Sequence, residues 1–164
     1  MIKRIALHRI LISPKTEKEV IDQFHKLFYY SAEKTWLNTT FLGVPIQKCP
    51  LDLWVYQEII CELKPDLIIE CGTLQGGSAL YLATLCELIG HGMVATIDIF
   101  PERAPTKPQH DRIKYLSGSS TSEEVLQQVE ALVDGQDRVM VILDSDHHKE
   151  NVIAELRNYA KFVT

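Results

Sequence analysis

The chain has 164 residues and a net charge of -5, with 46% hydrophobic and 24% charged residues, a composition ordinary for one globular domain with its own core. The acidic balance, with no Lys/Arg cluster, leaves no footprint for nucleic acid. No apolar run approaches the ~18 residues of a membrane span, so neither nucleic acid nor membrane is an expected partner.

At the start, Lys3 and Arg4 precede a short apolar run, but His8 and Arg9 interrupt it and no small-residue cleavage site follows, which points to a cytoplasmic beginning. Thr16 and Glu19 form a capping box, after which Val20, Phe24, Leu27 and Phe28 recur at helical spacing. Residues 36–49 hold Gly43 and Pro45 and read as a loop. Pro50 suits the first turn of a second helix, in which Leu53, Tyr56, Ile60 and Leu63 face one way. A turn at Pro65 feeds a strand over residues 67–70.

Beyond a glycine-rich loop, Ala79, Leu82, Ala83, Cys86 and Ile89 make a buried helix face closed by Gly90 and Gly92. Residues 94–98 are a second strand, and residues 101–110, with three prolines, read as a loop with the makings of a lid. A third strand covers residues 113–116. Val125, Val129 and Leu132 mark the next helix, residues 139–143 a fourth and fully apolar strand, and Val152, Leu156 and Tyr159 a last helix. The cysteines Cys49, Cys61, Cys71 and Cys86 form no C-x-x-C pair, which fits reduced thiols in the cytoplasm.

Strands alternating with helices predict an α/β fold with a doubly wound parallel sheet, Rossmann-like in class, whose ligands gather at the carboxyl ends of the strands. Residues 1–49 are expected to form a helical extension and residues 50–164 the cofactor-binding domain. All four strand ends carry polar candidates. In the first, Glu70 is followed by Gly72, Thr73, Gly76, Gly77 and Ser78. This spacing is not the G-x-G-x-x-G of dinucleotide folds, and position 74 is Leu. A carboxylate two places before the first glycine repels a pyrophosphate but attracts a sulfonium or an amino group, so the loop favours S-adenosylmethionine over NAD.

Asp98 sits where an acidic side chain accepts hydrogen bonds from ribose hydroxyls; its other reading is a solvated strand end. Ser119 and Ser120 are placed either to meet an adenine edge or to cap the helix starting near Thr121, with Glu123 or Glu124 completing the box. Asp144 and Asp146, two apart beyond a buried strand, offer hard oxygen ligands to Mg²⁺, and His147 is the adjacent group able to take a proton. Alternatively, Asp146 caps the following helix and the histidines are solvated. Lys48, Trp54 and Gln57 are candidates to line the site, with a core role favoured for Trp54.

The chain resembles the cephalosporin hydroxylase family, a branch of the class I S-adenosylmethionine-dependent methyltransferases that includes rhamnosyl O-methyltransferase-like proteins. The segments that carry the resemblance are residues 48–60, residues 64–70, Gly72 and Thr73 with Gly76 to Ala79, residues 97–99, residues 118–120, and residues 143–147. The resemblance implies that Glu70, Gly72 and their neighbours hold the methionine and ribose portions of the cofactor, with Asp98 on the ribose hydroxyls. It implies magnesium at Asp144 and His147 as general base, for methyl transfer to a hydroxyl of a small-molecule acceptor such as a sugar or natural product. Proteins of this kind continue with a fifth strand and an acidic pair that completes the metal site, whereas this chain stops where that strand would begin. It therefore reads as truncated, and the bare apolar edge as inviting a second chain, hence a homo-oligomer. The alternatives are an NAD-dependent oxidoreductase and a non-catalytic nucleoside-binding module.

Overall fold

The computed structural model describes residues 14–31, 34–100 and 107–164, which fall into two compact units divided between Trp36 and Leu37. Residues 1–13 and most of the proposed lid, residues 101–106, lie outside the described residues.

The first unit is built on α1 (Pro14–Tyr30). The helix begins at Pro14, so Thr16 lies inside the first turn and does not cap it. Proline's fixed φ and missing N–H suit a first helical position, which explains the earlier start. Phe24 and Phe28 stack at 5.6 Å, and Tyr29 meets Trp36 at 6.3 Å.

The second unit opens with a structure that the loop reading of residues 36–49 missed. A single 3-10 turn (Thr35–Asn38) comes first, and then β1 (Thr40–Phe41) pairs antiparallel with β2 (Val44–Pro45). Leu42 and Gly43 join the strands with φ of 49° and 82°, the two positive values of a primed hairpin turn. Tyr81 faces the Phe41 ring edge-on at 5.2 Å and donates its hydroxyl to the Leu53 carbonyl, tying the hairpin to the two helices that follow.

Those helices are α2 (Pro50–Leu63) and α3 (Gly77–Leu88), which flank β3 (Leu67–Cys71) in sequence. After them come β4 (Met93–Asp98), β5 (Ile113–Ser117), α4 (Glu123–Val133), β6 (Val139–Leu143) and α5 (Lys149–Tyr159). The four long strands form one parallel sheet in the order β5-β4-β3-β6, with Leu67 in register with both Met93 and Val139. Alternation then sorts the side chains. Ile68, Val94 and Ile142 pack against α2 and α3, while Ile69, Ile97 and Leu116 pack against α4 and α5. The doubly wound parallel sheet expected from the strand–helix alternation is the fold observed.

Because β3 lies between β4 and β6, the chain reverses its direction of progress across the sheet between these strands. A doubly wound sheet opens its ligand crevice at the carboxyl ends of the strands at such a point. The opposite ends are bound shut by Asp66, whose carboxylate accepts the backbone N–H groups of Asp137 and Arg138 and faces His91 at 2.6 Å. The Arg138 N–H, with help from His91, holds the Asp66 carboxyl below the usual carboxylate range. The strand β6 forms one edge of the sheet, and its first residue, Val139, donates its N–H to Thr164 Oγ1.

Candidate functional site

The glycine loop is held from below and from the side. Gly72 has φ of 108°, and a Cβ there would lie 2.1 Å from the Asp144 carbonyl oxygen, so the ends of β3 and β6 touch through the missing side chain. A Cβ on Gly77 would lie 2.2 Å from the Pro45 carbonyl oxygen, which seats the β1–β2 hairpin against the start of α3. The loop itself is clasped by Asp98, whose two carboxylate oxygens accept the N–H groups of Leu74 and Phe100, both at 2.7 Å. Thr73, almost fully buried, exchanges a hydrogen bond with Thr96 at 2.7 Å.

Beneath this loop lies Glu70, with no solvent exposure. Thr96 donates to its Oε2, but Oε1 has no hydrogen-bond partner. Burial pushes the Glu70 pKa up, while the Ser78 and Thr96 hydroxyls and the Lys48 charge pull the other way. A buried carboxylate oxygen without a donor is expensive to keep unless a cationic or donor group completes it. Nearby, α3 starts at Gly77 after a left-handed Gly76 with no side-chain cap, so its first-turn N–H groups have no intrahelical acceptor. Glu70 with one oxygen free, the start of α3 and Asp98 all stand at the carboxyl ends of β3 and β4.

The capping expected of Ser119 and Ser120 falls to another serine. Helix α4 is capped by Ser122, whose side chain accepts the Val125 N–H; Ser119 and Ser120 do not cap it. Ser119 Oγ lies 3.0 Å from the Thr121 hydroxyl, whereas Ser120 is buried and donates to Glu155 Oε1. Ser145 donates to the same Glu155 oxygen, and Tyr159 donates to the Ser120 carbonyl. Glu155 is therefore a buried post in α5 that links the loops after β5 and β6. It went unnoticed in the sequence, although its spacing of four from the core residue Tyr159 places both on one helix face. Leu156, one of the apolar residues that mark this helix in the sequence, is exposed.

At the end of β6, Asp144 is half-buried and both of its oxygens are engaged. Oδ2 takes the Lys48 ammonium in a direct ion pair, and Oδ1 faces His147 Nε2 at 3.3 Å. Lys48 comes from the segment that leads into α2, between the buried Ile46 and Cys49, and its side chain is only 12% exposed. Burial drags the Lys48 pKa down, but the hydrogen bond and charge of Asp144, with Glu70 behind, outweigh it and leave the ammonium above its usual value. Asp146 turns away from this cluster and accepts both the backbone N–H and the ring nitrogen of His148. His147 and His148 are exposed, as is Trp54 at 65%, which donates to Glu58 on the surface of α2 instead of joining the core. Gln57 is half-buried. Among the described residues no group of three or more His, Cys, Asp or Glu side chains gathers to hold a metal ion.

Comparison with known proteins identifies the family. Residues 33–164 match the family model described as Rhamnosyl O-methyltransferase/CmcI. A rhamnosyl O-methyltransferase of Mycobacterium bovis is 35% identical over 144 residues, covering 84% of this chain and 57% of that protein. The chain thus spans little more than half the length of the curated relative it matches. Among solved structures, an apo structure of CmcI is 25% identical with a TM-score of 0.57, covering 73% of this chain and 51% of that one. A CmcI structure described with Mg and SAM is 22% identical with a TM-score of 0.59 over 73% of this chain and 51% of that one, a likeness of fold. The matched residues take in the glycine loop, Asp98 and the Lys48–Asp144 pair alike, and the chain belongs to the rhamnosyl O-methyltransferase/CmcI family.

Proposed function

We propose that this chain forms the cofactor-binding body of an S-adenosylmethionine-dependent O-methyltransferase that acts on a hydroxyl of a small molecule. The observation that carries the reading is the buried, half-satisfied Glu70 beneath a glycine loop clasped by Asp98, in a chain of this family. When bound, the cofactor supplies a methyl group on a cationic sulfonium, open to displacement by an oxygen nucleophile. Glu70 holds the cationic amino group, the first turn of α3 the carboxylate, and Asp98 the ribose hydroxyls. Gly72, Thr73, Gly76, Gly77 and Ser78 let the backbone come close, and Ser119 borders the adenine end. Ser120 serves from behind through Glu155.

The acceptor hydroxyl is placed by the loop after β6. With His147 Nε2 turned to Asp144, its Nδ1 is the nitrogen left to take the hydroxyl proton. Asp144 is the carboxylate suited to a divalent ion such as Mg²⁺. The described residues do not complete such a site, because Asp146 points to His148 and Asp144 is occupied by Lys48. No step is therefore assigned to a metal. A sugar or another natural product as acceptor is supported by the rhamnosyl O-methyltransferase relative. The cytoplasm as compartment is supported by four free cysteines. A second copy of the chain along the β6 edge is supported by the position of that strand at the rim of the sheet.

Calorimetric titration with S-adenosylhomocysteine and, separately, NAD tests the cofactor. Binding of the first and not the second is expected, and no binding of S-adenosylhomocysteine would sink the reading. Asp144→Asn and His147→Ala should leave that binding intact but abolish methyl transfer in the full-length protein. Loss of cofactor binding in His147→Ala would contradict its role as base.

A further inference from the structure

Lys48 stands at this site without a reaction step that requires it. Its ammonium sits almost out of solvent, at the carboxyl end of β6, against the carboxylate best suited to a divalent ion. The placement is built. The backbone before it is anchored by buried Ile46, the backbone after it by buried Cys49 and the proline-started helix α2, and 96 residues of sequence separate the two partners. A buried lysine is stable there only because a carboxylate neutralises it, and the same carboxylate is then lost to other cations.

We propose that the Lys48 ammonium is the resident cation of Asp144, so that a divalent ion reaches this carboxylate only by displacing it. The inference rests on the reading of Asp144 as the cation-holding group of the transferase. Two observations converge on it: the direct Lys48–Asp144 ion pair, and the engagement of Asp144 Oδ1 by His147. Lysine is well suited to such an exchange. It is a point charge on a flexible stem, without the fixed two-pronged grip by which arginine holds a carboxylate.

Mn²⁺ binding followed by electron paramagnetic resonance tests this without any turnover. Lys48→Met should bind Mn²⁺ at least about tenfold more tightly than the wild-type chain, because it leaves Asp144 without its cation. Lys48→Arg, which keeps the charge and grips more firmly, should bind Mn²⁺ no better than wild type. The double variant Lys48→Met/Asp144→Asn should lose the gain. Unchanged or weaker Mn²⁺ binding in Lys48→Met, or a gain that survives Asp144→Asn, would overturn the proposal, as would absence of Mn²⁺ binding from every variant. Circular dichroism confirms that each variant is folded, and calorimetry with S-adenosylhomocysteine on the same samples reads the transferase assignment separately. Loss of cofactor binding from all of them indicts that assignment, whereas intact cofactor binding with no Mn²⁺ gain indicts only the role of Lys48.

Discussion

The crevice has two walls, held in different ways. On the wall formed by β3 and β4, the loop from Glu70 to Ser78 is largely buried, its glycines leave no room for a Cβ at Gly72 and Gly77, and Asp98 fastens it by backbone hydrogen bonds. On the wall formed by the end of β6, Asp146, His147 and His148 are exposed, and their contacts run mostly through side chains a few residues apart. The first wall is steric and backbone-made, so it is rigid before any ligand arrives. The second is electrostatic and side-chain-made, so its state depends on which cation is present. In the proposed function the rigid wall holds the cofactor and the adjustable wall the acceptor, a division that suits a scaffold keeping one cofactor and varying its acceptor.

The contrast is most easily broken at the one place where the walls touch. Gly72→Ala puts a methyl group into the Asp144 carbonyl at a positive φ, and the atoms it meets are backbone. A loss of about 3 kcal/mol or more in unfolding free energy is expected, read from the urea midpoint. A variant as stable as wild type would show that the contact between the ends of β3 and β6 is not a constraint.

Asp98→Ala acts on the cofactor wall alone. It removes the acceptor of the Leu74 and Phe100 N–H groups and the proposed ribose contact together. Charge-assisted hydrogen bonds of about 1.5–3 kcal/mol translate into a loss of roughly ten- to a hundredfold in S-adenosylhomocysteine affinity. Unaltered affinity in the calorimeter would remove Asp98 from the site.

Glu70→Gln separates stability from binding on that same wall. Burial raises the Glu70 pKa, so the folded state favours the protonated form. The contribution of this group to stability is then fully present below its unfolded pKa and is lost as pH rises through the higher folded value. Glutamine suffers no such loss. The stability of Glu70→Gln relative to wild type should therefore climb with pH from the ordinary carboxylate range upward, while cofactor affinity falls. Denaturant midpoints across a pH series check the first half, and a flat difference would mean that Glu70 is not buried as a charge.

The rigid wall was also the legible one. Strand β3, the glycine loop, α3 and β4 follow from alternation, helical spacing and the φ that glycine alone adopts freely, all local properties of consecutive residues. What escaped depends on distant partners. The β1–β2 hairpin consists of two-residue strands turned at a left-handed Leu42, and it owes its place to Tyr81 and Gly77 in a later helix. Three successive hydroxyl residues and Ser122 compete to cap α4, and Ser122 prevails while Ser120 is drawn inward by Glu155. Lys48 was legible as a neighbour of the site, but not as the partner of Asp144, because nothing in the spacing of charges reports a pairing across 96 residues.

Trp54 gives the smallest effect and the cleanest control on the adjustable side. A tryptophan in an apolar helix reads as core, yet this one is 65% exposed and meets only Glu58 by a hydrogen bond at 3.1 Å. Its helix is already anchored by Ile60 and by Tyr56 on the other side, so truncation opens no cavity. Trp54→Ala should change stability by no more than about 0.5 kcal/mol in urea titration, with S-adenosylhomocysteine affinity unchanged. A large loss of stability would return Trp54 to the core. A loss of methyl transfer with stability intact would instead extend the acceptor wall along the outer face of α2, beyond the end of β6.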